Sequence, residues 1–237
     1  IQHAGDWLSV IPSRALGLHM LDQEFRVCLH YWLGIPLFSE GPCAQCSRHI
    51  DRFGDHHLSC LGHGEKIARH DTLRDVIFSA ARLAALSPKL EAPYLLSNSS
   101  ARPADVFIPS WKNGSPAALD VTVISPMQQL TLAESAVSQG HALQVAADRK
   151  IAIHGSRCQE VGIQFFPLPV ETLGGWSTIA ASILKEIGHR QAARLDNPSS
   201  TSIHHLFQRL SICLWRGNAS MWINNSLAPL PYLDGVE

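Results

Sequence analysis

Apolar residues recur at helical spacing through residues 65–86, at Ile67, Leu73, Ile77, Ala80 and Ala84, and the run stops at Pro88. One long helix is expected there. The pattern then changes period. ADVFI (104–108) and ALDVTVI (118–124) are short runs rich in β-branched residues, as buried strands are, and Asn113-Gly114 between them is a hairpin signal. Thr131 to Ile153 returns to helix and VGIQFFPLPV (161–170) to strand. After Gly174-Gly175 a further helix is expected from about Ser177 to Leu195. DNPSSTS (196–202) reads as a linker before a last helix near His204 to Trp215. Upstream, Asp6 to Leu37 is mostly apolar with a helix expected over Leu21 to Leu33, and the turn-rich FSEGPCAQCSRH marks a module boundary. The order predicts an α/β fold in which a small mixed sheet is flanked by helices. The expected divisions are a helical leader (1–38), a cysteine–histidine module (39–64), the α/β core (65–195) and a linker with a C-terminal helix (196–237).

Composition narrows the classes. At 237 residues the chain can bury one sizeable core plus a small module. No uninterrupted apolar run reaches the roughly 18 residues of a membrane span. The sequence opens on Ile1 and lacks the basic and apolar regions of a signal peptide, so it reads as a piece of a longer protein. A net charge of -1 gives no global nucleic-acid signature, yet 19 Lys+Arg and 13 His leave room for a local basic stripe. Of six cysteines only Cys43, Cys46 and Cys60 cluster, unlike a secreted disulfide framework. Sequons at Asn98, Asn218 and Asn224 point the other way, but such matches are frequent by chance. An intracellular setting is expected.

Cys43-x-x-Cys46, then nine residues, then His56-His57, then Cys60 offers two thiolates on a tight turn and a His/Cys pair from the next element. That arrangement closes a tetrahedron around zinc. Cys43, Cys46, His56 and Cys60 are the expected ligands, with His57 and His49 as alternatives. Four protein ligands leave no open position, so the site is expected to be structural. The competing reading is a set of unligated cysteines beside surface histidines. No HExxH helix is present to suggest a zinc hydrolase.

Asp105 opens one predicted strand and Asp120 lies inside the next. On adjacent antiparallel strands their carboxylates can face one another, and buried like charges then call for a cation. Mg²⁺ suits two carboxylates and a phosphate. Glu91 is placed to assist, and Lys150 to orient an attacking water. A shared cation requires the two carboxylates to lie within about 6 Å. The plainer reading makes both aspartates solvent-facing strand caps.

Together the motifs stand in one order: Cys43-x-x-Cys46, DRFGDHHLSC (51–60), IARHDTLRD (67–75), RPADV (102–106), ALDVTVISP (118–126) and LGGWS (173–177). That order resembles the restriction-like endonuclease region of site-specific non-LTR retrotransposon proteins and their uncharacterised animal derivatives, over residues from about 40 to 180. The resemblance implies a PD-(D/E)xK fold, a restriction-endonuclease-like core with a CCHC zinc knuckle. Asp105 answers the first acid of the motif and Asp120 the second. It also implies Mg²⁺-dependent nicking of DNA, with the knuckle helping to grip the nucleic acid (DNA, with RNA as the other candidate), and a nuclear setting. Two departures stand out: Thr122 occupies the position where the superfamily usually carries its lysine, and an extra residue separates Pro103 from Asp105. The lysine of the next helix, Lys150, fills the first gap, with Arg149 beside it. Arg69, His70 and Arg74, on the helix after the knuckle, and Arg102, ahead of the first strand, are expected nucleic-acid contacts. Trp176 is expected in the core. The rival readings are a catalytically inactive nucleic-acid-binding protein of the same descent, and a zinc-stapled interaction module.

Overall fold

A computed structural model describes residues 1–43, 45–60, 64–96 and 101–225. From the amino terminus run a 3₁₀ turn (Asp6–Ser9), α1 (Asp22–Trp32), the two-residue strands β1 (Gly41–Pro42) and β2 (His49–Ile50), the short α2 (Asp55–Ser59) and the long α3 (Glu65–Leu83). Then come β3 (Lys89–Leu90), β4 (Val106–Ile108), β5 (Ala117–Ile124), α4 (Leu132–Val137), α5 (His141–Glu160), β6 (Gln164–Glu171), α6 (Thr178–Leu195) and α7 (Ser199–Ile223).

The main sheet is ordered β3-β4-β5-β6; its first two pairings are antiparallel and the β5–β6 pairing is parallel. The expected hairpin between β4 and β5 is present. Asn113 and Gly114 have φ of 54° and 76°, as a primed hairpin turn requires. The parallel β5–β6 pair needs a crossover, which α5 provides. β6 carries Pro167 and Pro169, which suit an edge strand because neither has an N–H to donate. Gln164, at the alternate parity, donates to Pro116 on the β5 side, so the two prolines turn their missing donors to the open edge.

Side chains alternate across the sheet. Val106, Ile108, Leu119, Val121, Leu168 and Val170 pack with α3, α6 and α7, where Leu73, Ile77, Leu184 and Leu210 are fully buried. Each such aliphatic side chain contributes roughly 1.5–3 kcal/mol by leaving water. Ala118 and Phe107 face the other way, toward Cys158 and Ile163. A second cluster joins the leader to the end of α7: Trp7, Val27, Cys28 and Tyr31 surround Trp215 and Trp222. Trp176 is 4% exposed and belongs to the core, as expected.

Two expectations change. The helix expected from Thr131 to Ile153 is two helices, because Gly140 at φ +84° breaks the run and starts α5, which continues to Glu160. The expected linker at 196–202 is largely helical: Pro198 sits at the N-cap of α7, which runs on to Ile223 because its apolar stripe covers both clusters. Of the sequons, Asn218 is fully buried and bonded to Thr172 O at 2.8 Å, so it is no glycan acceptor; Asn98 lies outside the described residues. No helix among the described residues is long and apolar enough to cross a membrane.

Candidate metal centres and functional groove

The expected zinc ligands converge. β1 and β2 form a hairpin whose turn carries Cys43 and Cys46, with Cys43 N–H donating to Arg48 O at 2.7 Å and Ser47 N–H to Cys43 O at 2.8 Å. α2 supplies His56, and Cys60 follows it as the C-cap. The four ligand atoms lie within 4.8 Å of one another. Cys43 Sγ to Cys60 Sγ is 3.9 Å, Cys46 Sγ to Cys60 Sγ 3.8 Å, and Cys46 Sγ to His56 Nε2 3.4 Å. A tetrahedral Zn²⁺ with bonds of about 2.3 Å to sulfur requires S···S edges near ~3.8 Å. Donor set and spacing both fit zinc. The two alternatives do not join the cluster: His49 is exposed on β2, and His57 is buried with its ring stacked on Phe38 at 4.0 Å. Burial, then the charge of Arg48, holds the His56 pKa down, which keeps the imidazole neutral and able to ligate.

Asp51 is the residue the sequence reading missed. Its carboxylate accepts from the backbone N–H groups of Phe53, Gly54 and Asp55 through Oδ1 (2.9, 2.7 and 3.1 Å) and from His56 through Oδ2 at 2.7 Å. It thereby gathers the orphan donors at the start of α2 and fixes the residue that presents the imidazole. Burial pushes the Asp51 carboxyl up, but those four bonds outweigh it and hold it below the usual range. An aspartate followed by a glycine turn and a short helix was the available signal. Replacing Asp51 with Asn, whose amide cannot accept at both ends, is expected to weaken zinc binding by about 10–100-fold, read by competition with a chromogenic chelator.

Gly54 holds the knuckle to the body. Its φ is +95°, a Cβ there would stand 2.6 Å from Trp222 Nε1, and Trp222 Nε1 donates to Gly54 O at 3.0 Å. Gly54→Ala is expected to lower stability by about 1–3 kcal/mol, measured by chemical denaturation.

The second centre lies at the start of the sheet's central pair. Asp105 N–H donates to Leu119 O at 3.0 Å although Leu119 is the register partner of Val106, so two residues face one in the manner of a β-bulge. The Asp105 side chain takes over from the interrupted ladder: its Oδ2 accepts from Val121 N–H at 2.6 Å. Asp120 is buried, 6% exposed, with the charge of Asp105 acting on it. Lys150, from α5, reaches both Asp120 oxygens at 3.0 Å.

These contacts set the protonation states. Burial drives the Asp120 pKa up to about 6, with Lys150 opposing and Asp105 adding to the rise. Burial also pushes Asp105 up, but His70, Val121 N–H and Lys150 together hold it below its ordinary value. His70 is raised to about 9, first by its hydrogen bond with Asp105 and against its own burial. Its Nε2 lies 3.1 Å from both Asp105 Oδ2 and Val121 O, and its Nδ1 3.2 Å from Asp71. Acceptors at both nitrogens call for the imidazolium. A raised histidine pKa stabilises the fold fully below its unfolded value of 6.5, and that stability is lost as pH rises through about 9. The His70 ring resonances are expected to titrate near that upper value in an NMR titration, and to move down toward normal in Asp105→Asn.

The remaining expected site residues divide. The Glu91 backbone sits beside Asp105, its N–H on Asp105 O at 3.0 Å. Its carboxylate, however, is paired by Arg74 and, at 3.0 Å, by Arg102. Arg74 also pairs with Asp71 and Asp75, so both arginines already hold acidic partners. Arg69 differs most from expectation. It is 2% exposed, and its guanidinium donates to Asn218 at 2.7 Å and Leu58 O at 3.3 Å. It is a strut between α3, α2 and α7, seated against Gly217, where a Cβ would stand 2.5 Å from its Cγ.

An open groove of about 1270 Å³ connects the two centres. It runs from Arg48 and His56 on the knuckle, past Lys66 and His70, to Arg149 and Lys150. His70 and Lys150, which pair with Asp105 and Asp120, are among its lining residues, whereas the two aspartates are not. The chain matches no protein-family model, and no curated protein matches it.

Proposed function

We propose that the chain is a metal-dependent endonuclease domain that nicks DNA, with a structural zinc knuckle and a Mg²⁺ site at Asp105 and Asp120. The observation that carries this reading is the Asp105–Asp120–Lys150 constellation at the edge of a groove shared with the knuckle. The motif order that resembles retrotransposon restriction-like endonucleases supports it, as does the bulge-like pairing at Asp105. The donor set suits a hard cation: two carboxylates from adjacent strands, with both protein bonds to Asp105 made through Oδ2 alone. Bound Mg²⁺ supplies charge stabilisation to the phosphoryl oxygens.

The residues of the chain do the rest. Water adds to phosphorus as the P–O bond to the leaving alkoxide breaks. Asp105 and Asp120 would hold the ion, the proton that the water loses passes to solvent, and a solvent proton restores the leaving alcohol. Lys150 positions the water and the scissile phosphate from the groove side. Basic lining along the groove attracts the polyanion although the whole chain is nearly neutral. DNA as the partner carries the proposed setting to the nucleus.

A second reading, nucleic-acid binding without catalysis, is favoured by one feature: His70 and Lys150 already neutralise the acid pair. Incubating the zinc-loaded chain with supercoiled plasmid separates the two. Nicking that needs Mg²⁺ and stops in EDTA supports the nuclease. DNA retained without nicking in Mg²⁺ leaves the binding protein.

A further inference from the structure

Neither the acid pair nor the zinc ligands account for the cations between them. The groove presents Arg48, Lys66, Arg149 and Lys150 with buried Arg69 behind, against only Asp51 and Asp55. Both acids are occupied elsewhere, Asp51 by four backbone N–H groups and Asp55 by the Tyr31 hydroxyl at 2.6 Å. Lys150 is spent on Asp120. Lys66 and Arg149 make no ion pair with any described residue, although one comes from α3 and the other from α5. Asp148, next to Arg149, bonds instead to Gln144 at 2.8 Å. Both line the same groove, where burial, then the charges of Arg69 and Arg149, lower the Lys66 pKa while Cys60 raises it. Lys66 also stands in the first turn of the 19-residue α3, where the helix end is itself positive. Folding has gathered like charges from two helices with no carboxylate paired to either among the described residues, an arrangement that a bound anion would complete.

We infer that Lys66 and Arg149 form a phosphodiester-binding subsite in the groove that the knuckle and Lys150 also line, holding the backbone of the nucleic acid that crosses it. This rests on the nuclease-domain reading and adds to it the place where a non-scissile phosphate is gripped. The rim separates a nucleic acid from free phosphate as the ligand. Ile67, Met127 and Leu130 line the same groove and are 67%, 43% and 94% exposed. Apolar side chains beside a cation pair suit a chain of sugars and bases joined by phosphates; inorganic phosphate has no use for them.

The test is fluorescence anisotropy of a labelled DNA duplex with the zinc-loaded chain across a salt series. Lys66→Gln and Arg149→Gln are each expected to reduce the slope of log affinity against log salt by about one unit, and the double variant by about two. Lys66→Arg should restore the slope, and Arg157→Gln, an exposed cation on α5 outside the groove, should leave it unchanged. Inorganic phosphate should compete only at concentrations where ionic strength alone explains the loss. An unchanged slope in the double variant, with the parent chain binding DNA, overturns the subsite and leaves the nuclease reading standing. No DNA binding by the parent chain overturns both. Competition by phosphate at low concentration makes the site one for free phosphate and overturns the inference. Loss of zinc from Lys66→Gln with DNA affinity intact does so as well, because Lys66 then serves the Cys60 thiolate.

Discussion

Stripping zinc with a chelator is expected to lower the melting temperature by about 10 °C or more and to release the knuckle from the body of the protein. The knuckle has little else to hold it. Its strands are two residues long, α2 has five residues, and so short a helix is not stable by itself. Without the ion, the Cys60 sulfur stands 3.9 Å from that of Cys43 and 3.8 Å from that of Cys46, with Cys43 and Cys60 buried, where an uncompensated thiolate is costly. The damage spreads because the knuckle is docked through Gly54 on Trp222, and Trp222 belongs to the cluster that seats the leader on α7. Cys60→Ser should reproduce most of the loss. Thermal unfolding with zinc analysis checks both. An unchanged melting temperature in a chain shown to be zinc-free would mean that packing alone holds the module.

Asp120→Ala is expected to reduce Mg²⁺-dependent nicking by at least about 10²-fold, and Lys150→Ala by a similar factor. The two losses have different physical causes. Without Asp120, Lys150 loses its one ion-pair partner among the described residues and a carboxylate that would hold the cation is gone. Without Lys150, Asp120 keeps its burial and the repulsion of Asp105 but loses the charge that opposes both, so its pKa climbs further and a proton competes with the cation for the carboxylate. The Lys150→Ala activity should therefore recover in part as pH rises, whereas Asp120→Ala should stay flat. A pH–rate profile of both variants beside the parent distinguishes them. Equal, pH-independent losses would show that Lys150 does not act through Asp120.

Much of this was legible in the sequence because the signals were local. The CxxC turn, the short helix spacing between His56 and Cys60, the Asn113-Gly114 hairpin and the β-branched runs each depend on a few neighbouring residues, and the structure places them as expected. The Lys150–Asp120 pairing spans 30 residues, yet it was reachable, because a crossover helix returns its side chains to the strand it leaves. What escaped was set by packing over long separations. Arg69 looks like a solvated helix cation until α7 covers it and Asn218 meets it 149 residues away. Arg74 and Arg102 look available until the turn after β3 brings Glu91 between them. Asp51 was read as part of a motif and not as the acceptor that shapes α2, since its partners are backbone groups with no sequence mark. The extent of α7 was missed because DNPSSTS has the composition of a linker, while its helix is decided by the two apolar clusters it bridges.

The central claim is a divalent-cation site built from Asp105 and Asp120. Mn²⁺ titration of the zinc-loaded chain, followed by electron paramagnetic resonance beside the double variant Asp105→Asn/Asp120→Asn, tests it most directly. The account predicts one Mn²⁺ bound per parent chain, displaced by Mg²⁺ and absent from the double variant. Mn²⁺ that fails to bind, or that binds the double variant equally well, would contradict it.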